Sequence, residues 1–116
     1  MEEKTVKLDR SKRYTDADDY FSLGGSIVMK LSTDAAIAIC TNAAKHGVVV
    51  SRIEGGIWHN PGFEARIDCI WDGADPPIDL ISAHTNNLAA IEFIRAESAE
   101  HDTFIITAPS IAGWQM

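Results

Sequence analysis

Residues 51–73, SRIEGGIWHNPGFEARIDCIWDG, alternate apolar and polar side chains on both sides of the tetrapeptide His59-Asn60-Pro61-Gly62. A period of two is that of a strand with one buried face, and a Pro-Gly turn between two such runs is hairpin chemistry. In the second arm Phe63, Ala65, Ile67, Cys69 and Trp71 alternate with Glu64, Arg66, Asp68, Ile70 and Asp72, so the odd-numbered residues are expected in the core. Keeping the odd-numbered apolar residues of both arms on that face restricts the register, because a slip of one residue turns a whole set over. The compact solution sets Trp58 opposite Gly62, Arg52 opposite Asp68 and Glu54 opposite Arg66, while Val50 meets Ile70 and Ile53 meets Ile67. Opposite-charge pairs of this kind contribute about 0.2–1 kcal/mol each, so they define register before they define a site. Gly55 and Gly56 are left over; adjacent glycines weaken a strand and usually mark a bulge or a close backbone approach.

Upstream, residues 26–32, SIVMKLS, read as a strand with Ile27, Met29 and Leu31 on one face. Ser32 or Thr33 can cap a helix over 34–46, with Asp34 at its positive end and a buried stripe of Ala36, Ile37, Cys40, Ala43 and Ala44; Gly47 suits a left-handed stop. Downstream, a loop with two prolines leads to Asn86 or Asn87 as cap of a second helix over 88–98, buried through Leu88, Ile91 and Ile94, and residues 101–109 form a last strand stopped by Pro109. The order β-α-β-β-α-β is the α+β ferredoxin-like arrangement: a four-stranded antiparallel sheet with two helices on one face, first and third strands inside, second and fourth at the edges. A sandwich of different connectivity is the structural rival. Residues 26–116 would form this single domain, and residues 1–25 an N-terminal extension, either an arm or an added strand or helix that covers an edge or the open sheet face.

The chain of 116 residues carries 17 acidic and 10 basic side chains, a net charge of -7. Such a surface repels phosphate backbones, and the one basic cluster, Lys7, Arg10, Lys12 and Arg13, reads as a solvated arm, so no nucleic-acid partner is expected. A basic protein is the natural complement. The first residues lack the apolar core of a signal peptide and no run approaches a membrane span, which predicts a cytoplasmic protein without membrane attachment. Cys40 and Cys69 fall at core-facing positions and read as buried thiols.

The catalytic inventory is thin. His46, His59, His84 and His101 are scattered, with no metal-ligand spacing to another His, Cys or carboxylate, so neither a metal nor another cofactor is expected. Glu54, Asp68 and Asp72 share a face with Arg52 and Arg66, which favour ionised carboxylates over a general acid. No nucleophile turn or phosphate loop is present, and the expectation is a non-enzyme. The segment 72–79, DGADPPID, holds three aspartates in a proline-stiffened loop, an acidic prong or a plain solvated loop.

A small acidic domain with few catalytic residues, acids set on YTDADDY (14–20), and tryptophans with acids along residues 55–77 resembles bacterial toxin-immunity proteins, such as those of contact-dependent growth inhibition systems. The resemblance implies an inhibitor that binds and neutralises a cognate basic toxin, nucleases among them. Asp16, Asp18, Asp19, Glu54, Asp68, Asp72 and Asp75 would steer the partner, with Trp58 and Tyr20 as anchors. The alternative is a ferredoxin-like sensing module, or a homo-oligomer whose open sheet faces pair. A small enzyme using the hairpin carboxylates and His59 comes third.

Overall fold

The computed structural model of the chain describes residues 7–60 and 62–113. Along the chain run β1 (Arg13–Tyr14), α1 (Ala17–Leu23), β2 (Lys30–Ser32), α2 (Thr33–Asn42), a 3-10 turn (Ala44–His46), β3 (Arg52–Trp58), β4 (Phe63–Asp72), α3 (Leu80–Glu97) and β5 (Thr103–Thr107). The fold is α+β, with three helices and one mixed five-stranded sheet in the order β1-β2-β5-β3-β4. β1 runs parallel to β2; all other pairings are antiparallel.

The cap and stop signals of the first helix translate directly. The Ser32 hydroxyl accepts the Ala35 amide and caps α2, which buries Ala35, Ala36, Ile39 and Cys40. Gly47, at φ 71°, ends the 3-10 turn as the left-handed residue expected there. The second helix begins earlier than its asparagines suggest: Asp79, not Asn86 or Asn87, is the cap, accepting from the Ser82 amide at 2.8 Å and its hydroxyl at 2.9 Å. These bonds hold the Asp79 carboxyl below its ordinary 3.8. A lowered folded value means the stabilisation is complete above the ordinary value and is lost as pH falls from there through the lower folded one. Asp79→Ala is therefore expected to lower Tm by a few degrees at neutral pH, with the gap to wild type closing in acid; thermal melts across the acid range check it.

The sheet order corrects the ferredoxin-like expectation. The last strand lies between β2 and β3, so the hairpin's second arm is an edge and not an inner strand. Alternation reports which face a residue uses, and it is silent on which strands become neighbours. The first strand is also shorter than residues 26–32: Ile27 takes φ 71°, is 64% exposed and turns the chain, leaving Met29 and Leu31 in the core. Phe104, Ile106, Leu31 and Ile53 point from the sheet toward the helices, where Ile39, Ala90, Ile91 and Ile94 meet them. At the other edge Tyr14 and Tyr20 join this core, and Phe21 stacks on His46 at 3.7 Å between ring centroids.

The hairpin register departs from the compact solution. Arg52 faces Asp72 and Glu54 faces Ile70, but beyond an irregularity Gly56 faces Ala65 and Trp58 faces Phe63. Arg66, Ile67, Asp68 and Cys69 thus stand opposite Gly55 alone, and the expected pairs of Arg52 with Asp68 and Glu54 with Arg66 do not form. The two glycines explain the bulge from the β3 side. A Cβ on Gly55 would strike the Cys69 thiol and Phe104, and one on Gly56 would strike the Glu64 carbonyl oxygen. Gly56→Ala must displace backbone, so it is expected to cost about 2 kcal/mol, read as a shifted denaturant midpoint at unchanged slope. The bulge also defeats the alternation of β4, where Phe63, Ala65 and Ile67 leave the core and Cys69 alone is fully buried.

Candidate functional site

Among the described residues no helix covers the second sheet face. Lys30, Ile105 and Glu54 project from it, because their neighbours Leu31, Phe104, Ile106 and Ile53 are buried against the helices. Toward the hairpin tip this face forms an open concavity of about 590 Å³, lined by Arg10, Ser11, Lys30, Glu54, Trp58, Gly62, Phe63, Ala65 and Ile105. Trp58 and Phe63 are a cross-strand pair, and both remain half-buried in the described chain. Residues 10 and 11 reach the rim but do not cover Trp58; residues 1–6, part of the expected arm, and Pro61 of the turn lie outside the described residues.

The indole is presented on a braced backbone. The Trp58 amide donates to Asp102 Oδ1 at 3.0 Å, while Arg13 donates to the Asp102 carbonyl at 2.6 Å and to the Thr103 hydroxyl at 3.1 Å. The N-terminal strand, the start of β5 and the hairpin tip are thereby tied together. Such an anchor loses little freedom on binding a partner.

Charges along the hairpin form two short chains, of which Glu54 alone lines the concavity. Arg52 reaches Asp72 at 2.7 Å and Glu54 at 3.5 Å; His59 reaches Glu64 at 2.7 Å, which also meets Arg66 at 3.0 Å. All these groups are well exposed, so the pairs add little stability and mainly fix side-chain directions. The hydrogen bond to His59, and then the charge of Arg66, hold the Glu64 carboxyl below its usual range. An ionised carboxylate accepts protons or cations; it is no acid catalyst at neutral pH.

The nine residues expected to contact a partner fall on separate surfaces. Glu54 and Trp58 line the concavity, with Asp72 beside them on β4 through Arg52. Asp68 is exposed at the bulge of the same strand, and Asp75 is exposed on the loop that follows. Asp16, Asp18 and Asp19 begin α1 at the far edge of the sheet, where Asp16 caps the helix through the Asp18 amide. Tyr20 is core: it is 4% exposed, and its hydroxyl donates to the Ile106 carbonyl at 2.9 Å. Phe63 and Ile67, the latter 92% exposed, are apolar surface that alternation had assigned to the core, whereas Ile70 is exposed on the wetter face to which alternation assigned it. Gly55-Gly56 was the available sign, since a bulge there reverses the faces of everything beyond it.

A second exposed apolar surface lies on α3, where Leu80, Ile81 and Leu88 are 55%, 81% and 48% exposed. No helix among the described residues is long and apolar enough to cross a membrane.

The family model described as Colicin-E5 Imm protein matches residues 29–109, which hold β2 through β5. Immunity protein CdiI of Burkholderia pseudomallei is 66% identical over 109 residues, covering 94% of this chain and 100% of the relative. Colicin-E5 immunity protein of Escherichia coli is 40% identical over 80 residues, covering 68% of this chain and 96% of the relative. The version named as the colicin-E5 immunity protein in ColE9, also from Escherichia coli, gives the same identity and coverage. The matched region contains the whole braced hairpin, its bulge and the sheet face around Trp58, so the chain belongs to the colicin E5 immunity protein family and is a bacterial toxin-immunity protein.

Proposed function

We propose that the chain neutralises a basic toxin domain, of the colicin E5 kind that its relatives' names point to, by laying the helix-free face of its sheet on the toxin. Trp58 is the anchor, with Phe63 beside it. Glu54, Asp68, Asp72 and Asp75 supply the negative surround on the hairpin side. Asp16, Asp18 and Asp19 extend that field from the other edge and act at a distance, and Tyr20 seats their helix in the core. Residues 1–25 remain an N-terminal extension to the domain in this reading.

Its support is the braced, half-exposed Trp58 with Phe63 in an open concavity lined by Glu54, Lys30 and Arg10, on a chain of net charge -7. Aromatic anchors supply binding energy, whereas charges of one sign speed encounter with a partner of the other. The protein acts as a binder in the cytoplasm of its host, with no reaction, nucleic acid or membrane of its own. Stopped-flow mixing with the cognate toxin domain tests the steering. The association rate is expected to fall about tenfold or more from low to high salt. A rate indifferent to salt contradicts an acidic docking surface.

A further inference from the structure

On the helix side of the sheet, away from the proposed docking face, the fold gathers three side chains from different elements. Cys69 lies at the β4 bulge, Glu97 closes α3, and His101 stands in the link to β5. One donor atom from each, the thiol sulfur, a carboxylate oxygen and a ring nitrogen, all lie within 4.8 Å of one another. Gly55 makes this arrangement possible, since a side chain there would occupy the sulfur's position.

His101 supplies a second, independent sign. Its side chain is 7% exposed, and its Nδ1 sits 3.1 Å from Glu97 Oε1 yet is out of line for a hydrogen bond. It is the buried side-chain nitrogen left without a partner among the described residues. A buried polar atom facing a thiol and a carboxylate, yet hydrogen-bonded to neither, is in costly surroundings unless a cation completes them.

We propose that Cys69, Glu97 and His101 form a binding site for a divalent transition-metal ion, zinc foremost. Thiolate, imidazole and carboxylate are the donor classes of zinc sites, whereas magnesium and calcium take oxygen alone. The thiolate and carboxylate together match a charge of +2, and binding sends the thiol proton to solvent. Tetrahedral zinc would draw the three donors to roughly 3.5 Å apart, a closure within reach of side-chain torsions. Glu97, at 30% exposure the most open of the three, marks the side where a water molecule takes the fourth position. Without metal, burial and then the charge of Glu97 push the Cys69 thiol up to about 12, so it is no nucleophile. Sequence spacing hides the trio, because Cys69 is remote from the other two, although Glu97 and His101 stand one helical turn apart.

An ion held there would clamp the bulged strand to the end of α3 in the folded chain alone. The test is titration of the reduced, metal-free full chain with Co2+, followed by Zn2+. One equivalent of cobalt is expected to give a thiolate-to-metal charge-transfer band that zinc bleaches. Cys69→Ser should abolish the band, and His101→Ala should weaken cobalt affinity by about 100-fold or more. Zinc at a hundred times its dissociation constant should raise the wild-type Tm by roughly 10 °C. Glu97→Gln keeps the shape of a partly exposed side chain, so it should leave the metal-free Tm in place while weakening cobalt, which separates ligation from misfolding. Absence of the charge-transfer band, its survival in Cys69→Ser, or a wild-type Tm unmoved by zinc overturns the site.

Discussion

Asn87→Ala is expected to destabilise the protein by about 3–4 kcal/mol, more than loss of any single exposed ion pair. Asn87 is 1% exposed, and its side chain does the work of a missing strand. The Val50 amide donates to its Oδ1 at 2.9 Å, and its Nδ2 donates to the Val48 carbonyl at 3.3 Å. Alanine would leave a buried amide and a largely buried carbonyl without partners, at about 1–3 kcal/mol each, and would also open a small cavity. Neighbouring Asn86 continues the bridge: its Nδ2 donates to the Val50 carbonyl at 2.8 Å, and its Oδ1 accepts the Ala74 amide at 2.8 Å. Neither duplicates the bonds of Asn87, so the loss is uncompensated. Urea unfolding should show a lower midpoint at unchanged slope. Asn87→Asp separates the two bonds: it keeps the acceptor for Val50 but removes the donor to Val48 and buries a charge, so it should be no better tolerated than alanine.

Trp58→Ala is expected to weaken toxin binding by about 30-fold or more while moving stability little. The indole is half-exposed, so truncation removes only part of a core contact, and the bracing bonds of residue 58 run through its amide, which alanine retains. At an interface, a buried tryptophan anchor is worth about 2 kcal/mol or more, which converts to that factor. Calorimetric titration of wild type and variant with the toxin domain measures it. Asp16→Ala on α1 should lower affinity far less, because a rim charge acts mainly on encounter rate.

Several elements were open to reading from local chemistry. Ser32 before an Ala-rich stripe marks a helix start, Gly47 marks its stop, and the runs around His59-Asn60 mark a hairpin. The strand neighbours were not open to it: nothing local to residues 103–107 tells whether that strand inserts beside β3 or sits at an edge. The register failed for a related reason. Alternation assumes unbroken pairing, and Gly55-Gly56 broke it by admitting the Cys69 thiol and the Glu64 carbonyl into the space of two side chains. The pair was noticed as a bulge signal, but its size follows only from three-dimensional crowding. The asparagines before the second helix misled because Asn87 has the chemistry of a cap and spends it on β3's approach, one turn and more inside α3. In the candidate site, Glu54 and Trp58 were legible as residues of the wetter hairpin face, whereas Tyr20 was not legible as core. Its surroundings in sequence are acidic, and only the docking of α1 onto Ile106 buries it.

Docking of the helix-free face around Trp58 on the toxin, as proposed, has a direct experimental signature. Amide hydrogen exchange of the chain, alone and bound to its cognate toxin domain, reads it out. Slowed exchange is expected along residues 54–70 and at residues 10–13, with α3 unchanged. Protection centred on Leu80, Ile81 and Leu88, with the hairpin exchanging as in the free protein, would contradict it.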